Sequence, residues 1–203
     1  MNRAPIFAVV IVAAAAIGFV LQHTFTHRER APIQPSPPAA TQSSLPERLP
    51  EFSLTNRAGQ PQSISSWPGK SLIINFWATW CGPCKKEIPL LLSIAKARGS
   101  EGFQVVGIAV DFRDDVLKYA DKMHIDYPLL IGEQDGLAAI NAFGVDAAGF
   151  PFTVFTDTQG RIVTTHLGEL HADEAKLILD TIREVNEGKL ELGAAKKRLA
   201  RES

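Results

Sequence analysis

The feature that most constrains the fold of this chain is an apolar run that leads into two closely spaced cysteines and then into a helical pattern. Residues 70–77 are mostly apolar, which is typical of a strand buried at the centre of a sheet. The motif Cys81-Gly82-Pro83-Cys84 follows, and it contains the only two cysteines of the 203 residues. The segment after the motif carries apolar residues at helical spacing. A strand, a tight turn and a helix in this order predict that the first thiol lies at a helix N-terminus.

That position gives the two cysteines different chemistry. Unpaired backbone amides and the helix dipole stabilise an anion there, so the pKa of such a thiol drops from ~8.5 towards ~7 or lower. We therefore expect Cys81 to be the nucleophile of thiol–disulfide exchange. Cys84 lies one turn deeper and is expected to be the resolving thiol, which attacks the mixed disulfide and releases the partner. The Cys81–Cys84 disulfide is then the redox group, and no further cofactor and no metal are expected.

Other uses of two cysteines are less well supported. A structural disulfide that closes so small a loop gains little from chain entropy. A zinc site needs two further ligands, and His124, His166 and His171 are not paired at ligand spacing. A thiol peroxidase requires a Thr-x-x-Cys arrangement, but Thr79 stands only two residues before the first cysteine. A copper-handling assembly factor that binds Cu(I) through the same two thiolates stays open as the alternative, because soft ligands favour that ion.

The N-terminal region predicts export or anchoring. Residues 6–21 form an uninterrupted apolar run of 16 residues behind a short charged start, which is slightly short for a bilayer core. No small-x-small cleavage site follows the run, so a retained membrane anchor within 1–25 is favoured over a cleaved signal. Residues 26–50 are rich in Pro, Ser, Ala and Gln and predict a semi-extended linker. The charge rule weakly places the N-terminus in the cytoplasm and the remainder outside it.

The rest of the chain predicts one α/β domain over 51–187 and a charged C-terminal helix or tail over 188–203. The net charge of −1 argues against a nucleic-acid partner. The last segment carries Lys196, Lys197 and Arg198, so we expect a surface helix with solvated charges. Predicted strands lie at 52–55, 70–77, 103–111, 128–131, 152–157 and 161–167, and predicted helices at 85–98, 114–123, 135–143, 172–185 and 190–201.

A family resemblance follows from the motif and its surroundings. Residues 74–87 read Ile-Asn-Phe-Trp-Ala-Thr-Trp-Cys-Gly-Pro-Cys-Lys-Lys-Glu, which resembles the membrane-anchored thioredoxin-like disulfide reductases of the TlpA/ResA family. The resemblance extends over about 52–185 and implies a thioredoxin-like central mixed sheet flanked by helices. It also implies a single-pass protein of the bacterial inner membrane whose catalytic domain reduces protein disulfides in the periplasm or another extracytoplasmic space. Such enzymes are recharged by a transmembrane thiol transporter and often serve cytochrome c maturation or metal-site assembly.

The resemblance also implies a substrate-binding surface. In the resembling fold the bond before Pro151 is cis and faces the motif, so the backbone of Phe150 is expected to pair with an extended substrate. Trp80, Gly82 and Pro83 of the motif complete the expected surface.

The proton acceptor is less obvious from the sequence. Ordinary cytoplasmic thioredoxins carry a buried acid on the strand before the motif, and Asn75 stands there in this chain. An amide does not accept a proton at neutral pH. Glu87 lies three residues after Cys84 on the predicted helix, and its counterpart in the ResA branch is considered important for thiol titration. The alternative is a solvated glutamate beside Lys85 and Lys86.

Overall fold

The computed structural model describes residues 45–145 and 149–202. The apolar run at 6–21, and with it the predicted anchor, lies outside the described residues, as does the linker up to residue 44. Among the described residues, no helix combines the length and the apolar character needed to cross a membrane.

The described residues form a mixed seven-stranded sheet with helices packed against it, as the resemblance implied. The order across the sheet is β2-β1-β5-β4-β3-β6-β7. Strand β4 is parallel to β3 and to β5, and the other neighbouring pairs are antiparallel. The strands are β1 (Ser53–Asn56), β2 (Pro61–Ser63), β3 (Ser71–Trp77), β4 (Phe103–Ala109), β5 (Leu129–Ile131), β6 (Phe152–Thr156) and β7 (Ile162–Leu167). The helices are α1 (Gly82–Arg98), α2 (Arg113–Lys122), α3 (Gln134–Asn141), α4 (Ala172–Asn186) and α5 (Leu192–Glu202), with short 3-10 turns at Ile64–Ser66 and Gly99–Glu101.

Strand β3 lies in the interior of the sheet, between β4 and β6, and all of its residues are buried. Ile73 and Trp77 belong to the apolar cluster that contains helix α1, whereas Ile74 and Phe76 belong to the cluster on the other face. A strand covered on both faces needs apolar residues at nearly every position, which explains its continuous apolar run. Trp77 pairs with Ala109 of the parallel strand β4, so both strands end at the same edge of the sheet. The loops after β3 and β4 therefore lie side by side.

The clearest differences from the sequence prediction concern helix α1 and strand β2. Helix α1 begins at Gly82, not at residue 85, because Cys81 caps it and proline is favoured in a first helical turn. Strand β2 was not predicted; it is three residues long and begins with Pro61, so it carries no alternating pattern. Pro89 lies inside α1 without ending the helix, which continues to Arg98.

The C-terminal helix is more than a solvated surface element. Ala195 and Leu199 of α5 are buried and belong to the same apolar cluster as Ile182 of α4. Arg198 also pairs with Glu184 of α4 at 2.9 Å. Helix α5 thus adds apolar surface to the core of the domain, while Lys197 stays exposed as predicted.

Replacement of Leu199 by alanine tests this packing. We expect Leu199→Ala to lower the free energy of unfolding by about 2–4 kcal/mol, since a buried leucine is truncated and a cavity remains. Lys197→Ala on the same helix is the control and should change it by less than about 0.5 kcal/mol. Urea denaturation measures both values. Equal stability of the two variants would show that α5 does not contribute to the core.

Candidate active site

The two cysteines lie at the start of helix α1 with unequal exposure. Cys81 is the N-cap residue, and its Sγ accepts a hydrogen bond from the backbone N–H of Cys84 at 3.2 Å. The two sulfurs form a disulfide bond. Cys81 is 6% exposed and Cys84 is fully buried. A partner sulfur can therefore approach Cys81 but not Cys84, and the N–H at the helix end stabilises negative charge on Cys81 once the disulfide is reduced.

The predicted substrate-binding residues surround the exposed side of Cys81. Gly82 and Pro83 are exposed, and the Trp80 side chain is 68% exposed. The bond between Phe150 and Pro151 is cis, as predicted. The rings of Trp80 and Phe150 pack edge to face with their centroids 5.7 Å apart. This contact places the segment before strand β6 directly beside the dithiol motif.

Glu87 is buried beneath the motif, with 1% of its surface exposed. Its Oε1 accepts a hydrogen bond from Asn75 Nδ2 at 2.7 Å, and its Oε2 accepts one from the backbone N–H of Leu170 at 2.9 Å. The alternative of a solvated glutamate is therefore wrong. Lys86 instead pairs with Glu169 at 3.7 Å. Helix α1 thus supplies a buried carboxylate three residues after Cys84, whereas strand β3 supplies only an amide.

Asn75 of strand β3 orients this carboxylate. Its Nδ2 also donates to Thr153 Oγ1 at 3.0 Å, and the two residues are direct partners in the antiparallel pairing of β3 with β6. Neither Thr153 nor Leu170 was singled out in the sequence. Thr153 reaches Asn75 through strand pairing, and Leu170 reaches Glu87 from the turn after β7, so no local pattern marks either residue.

Burial raises the pKa of Glu87, and the charge of Glu169 raises it further. The Leu170 and Asn75 hydrogen bonds and the electrostatic interaction with His166 lower this pKa without cancelling the effect of burial. Burial likewise raises the pKa of Tyr127, with a smaller contribution from the charge of Glu87. The carboxylate is thus a better proton acceptor than a glutamate in water, and the nearby phenol stays neutral.

A second carboxylate holds the loop before the dithiol. Asp111, which follows strand β4, accepts through Oδ2 a hydrogen bond from the backbone N–H of Thr79 at 2.9 Å and one from the Thr79 hydroxyl at 2.5 Å. Only 9% of Asp111 is exposed. No local sequence pattern predicts this contact, because it joins two loops that are brought together only by the parallel pairing of β3 and β4.

The histidines considered as metal ligands have other partners or positions. His166 Nδ1 lies 2.8 Å from Glu174 Oε1, and His171 occupies the N-cap position of helix α4 without a side-chain capping hydrogen bond. His124 has a positive φ of 53° in the turn after α2. Within the ranges 45–145 and 149–202, no group of three or more His, Cys, Asp and Glu side chains is placed to hold a metal ion.

Comparisons with known proteins agree with this geometry. A profile of the family described as Redoxin matches residues 46–180. The thioredoxin-like protein YneN of Bacillus subtilis is 30% identical over 140 residues, covering 66% of this chain and 78% of that protein. The thiol-disulfide oxidoreductase ResA of Geobacillus kaustophilus is 25% identical over 177 residues, covering 87% of this chain and 93% of the relative. Among solved structures, a thiol:disulfide interchange protein of the thioredoxin family from Chlorobium tepidum is 33% identical with a TM-score of 0.58, covering 70% of this chain and 96% of its own.

The raised pKa of Glu87 predicts how its removal affects stability. Between the ordinary glutamate pKa of 4.5 and the higher value in the folded protein, the native state binds more protons than the unfolded state. The stability that Glu87 contributes is therefore greatest below pH 4.5 and is lost as the pH rises through the folded-state pKa. We expect oxidised wild type to lose stability relative to Glu87→Gln across that range.

Denaturation of the oxidised proteins at a series of pH values measures this difference. Glu191→Gln, at an exposed position before α5, controls for the loss of one negative charge. A difference between wild type and Glu87→Gln that stays constant with pH would show that Glu87 ionises alike in the folded and unfolded chain.

Proposed function

Since the chain belongs to the Redoxin family and is a thiol-disulfide oxidoreductase of the thioredoxin fold, we propose that it reduces specific protein disulfides outside the cytoplasm. The observation that carries the proposal is the arrangement of three groups at the start of one helix: Cys81 is slightly exposed, whereas Cys84 and the Glu87 carboxylate are buried. Cys81 is the nucleophile of the first step, and Cys84 and Glu87 are the resolving thiol and the proton acceptor of the second.

The first step is attack on the partner disulfide. The Cys81 thiolate, stabilised by the Cys84 N–H, bonds to one partner sulfur, and the partner S–S bond breaks. The other partner sulfur leaves as a thiolate, so the product is a mixed disulfide between Cys81 and the partner. Phe150 lies beside the motif, and its backbone pairs with the extended segment that carries the disulfide.

The second step releases the reduced partner. The Cys84 thiol loses its proton to the Glu87 carboxylate and attacks Cys81 Sγ. The mixed disulfide breaks, the second partner sulfur leaves as a thiolate, and the Cys81–Cys84 disulfide forms. Two electrons have then passed from the dithiol to the partner. A carboxylate with a raised pKa suits this transfer, since it takes the proton more readily than a solvated glutamate.

The oxidised enzyme must then be reduced again. The apolar run at 6–21 and the linker after it support a single-pass anchor in the bacterial inner membrane with the dithiol domain in the periplasm or its equivalent. Thiols in such compartments are not kept reduced by the cytosolic systems. A transmembrane thiol transporter is therefore the proposed electron donor. Cytochrome c maturation and metal-site assembly are the proposed uses, because both need cysteines held reduced. Fractionation of the producing cells tests the location.

The redox potential tests the direction of electron flow. The Gly82-Pro83 pair between the cysteines is typical of reductants, so we expect a potential below about −200 mV, nearer to thioredoxin at about −270 mV than to DsbA at about −120 mV. Equilibration of the full-length chain with glutathione buffers measures this value. A potential near that of DsbA would make the chain an oxidant of protein thiols and would reverse the proposed direction.

Kinetics test the role of Glu87. At pH 7 we expect Glu87→Gln to slow the resolving step by at least about tenfold, because the amide cannot accept the Cys84 proton. In wild type this step should also slow as the pH falls below the raised pKa of Glu87, since the protonated carboxyl has no free site for the proton. Stopped-flow reduction of a model disulfide from pH 5 to pH 9 follows both effects.

The first attack serves as the internal control. Cys84→Ala stops the reaction at the mixed disulfide, so the rate of that attack is measured alone with and without Glu87→Gln. We expect these two rates to differ much less than the resolving rates. Superimposable pH–rate profiles of wild type and Glu87→Gln would show that another group accepts the proton. The same Cys84→Ala variant, expressed in the native envelope, traps the partner for identification.

A further inference from the structure

Two exposed aromatic side chains lie at the edge of the sheet that carries the dithiol. Trp80 is 68% exposed and Phe112 is 62% exposed. Each stands three residues beyond the paired residues Trp77 and Ala109, at the ends of the parallel strands β3 and β4. The chain therefore presents one large aromatic on each of two adjacent loops.

Hydrogen bonds from Asp111 hold these two loops together. Its Oδ2 accepts from the N–H and the hydroxyl of Thr79, the residue before Trp80. Its Oδ1 accepts from the N–H of Phe112 at 2.8 Å. The same carboxylate thus fixes the backbone beside both aromatic residues, and Phe112 is held next to the loop that leads into Cys81.

Phe112 does not serve the folded domain itself. It occupies the N-cap position of helix α2, where it makes no side-chain capping hydrogen bond. Serine, threonine, aspartate and asparagine are preferred there, and each satisfies an unpaired N–H of the first turn. The phenyl ring is also left mostly in water, which gains nothing for the core. The Phe112 side chain, which neither caps its helix nor packs in the core, is available for an external contact of the kind in which aromatic residues are enriched.

The low exposure of Cys81 indicates which molecule makes this external contact with Phe112. Because only 6% of Cys81 is exposed, a partner disulfide reaches its sulfur only if the partner backbone lies closely across the surrounding surface. The residues next to the partner cysteine are then brought against the loops that carry Trp80 and Phe112. These side chains offer apolar surface and no charge.

We propose that Phe112 is a specificity-determining residue, which together with Trp80 binds an apolar side chain next to the reactive cysteine of the partner protein. The inference rests on the proposed function, since it names the class of disulfide that the enzyme prefers: one flanked by apolar residues in an extended segment. Phe150, which packs against the Trp80 ring, contacts the same segment through its backbone.

Two synthetic peptides test the inference. Both contain the same intramolecular disulfide loop, and the residues that flank the cysteines are leucine in one peptide and serine in the other. The rate constants for their reduction by the full-length reduced chain are compared. We expect wild type to reduce the leucine peptide about five- to tenfold faster, because a partly exposed apolar contact contributes less than a closed pocket does.

Three variants distinguish the effect of the Phe112 side chain on the peptide preference from other effects of substitution. Phe112→Ser should lower the preference below about twofold while keeping or raising the stability, since serine caps helix α2. Phe112→Leu should keep most of the preference. Leu45→Ser removes a similarly exposed apolar side chain from the segment before the Arg48–Arg161 bridge, at the far end of β7 from the site, and should leave the preference unchanged. Reduction of bis(2-hydroxyethyl) disulfide should be equal in wild type and in all three variants.

The outcomes distinguish this inference from the function on which it rests. An unchanged preference in Phe112→Ser, or equal rates of wild type on the two peptides, overturns the role of Phe112 and leaves the reductase function standing. A Phe112→Ser variant that is equally slow on the small disulfide also overturns it, because the residue then acts on the dithiol chemistry. Failure of the wild type to reduce either peptide contradicts the proposed function itself.

Discussion

The hydrogen bonds of the Glu87 carboxylate join the elements on which the active site depends. One carboxylate oxygen accepts a hydrogen bond from the Asn75 side chain of strand β3. The other accepts one from the backbone N–H of Leu170 in the segment after β7. In that same segment, the Gly168 N–H donates to the Pro151 carbonyl at 2.8 Å. A single buried side chain of the dithiol helix therefore connects the helix to the sheet and to the segment that positions the cis proline. Truncation of this side chain would remove both contacts at once.

Two features of the site do not favour the stability of the folded domain. Burial of the Glu87 carboxylate disfavours its charged form, and its hydrogen bonds to Leu170 and Asn75 limit that cost. At the start of α2, Phe112 occupies a cap position without capping and exposes its ring. Local departures of this kind concentrate at functional sites, because the surrounding fold stabilises them. The buried strand β3 and the apolar clusters on both of its faces provide that support.

Much of the fold and part of the site could be predicted, because the signals are local. The apolar run of β3, the helical spacing of α1 and the turn between β6 and β7 all lie within short windows of sequence. The dithiol at a helix N-terminus follows from the same adjacency. Strand β2 could not be predicted, since it exists only by pairing with β1. The burial of Ala195 and Leu199 depends on where α5 packs, and the charges of that helix suggested only a solvated surface.

By itself, the sequence determined the order of all strands and helices except β2, the pair of thiols and the chemistry that a Cys-Gly-Pro-Cys turn favours, since each depends on neighbours within a few residues. Tertiary structure decided which groups surround those thiols. Leu170 is 83 residues from Glu87 and Asp111 is 32 residues from Thr79, and no local pattern links such pairs. Only the parallel pairing of β3 with β4 and the return of β6 beside β3 bring them together. Burial, and with it the pKa of the carboxylate, exists only once the sheet and α1 have packed around it.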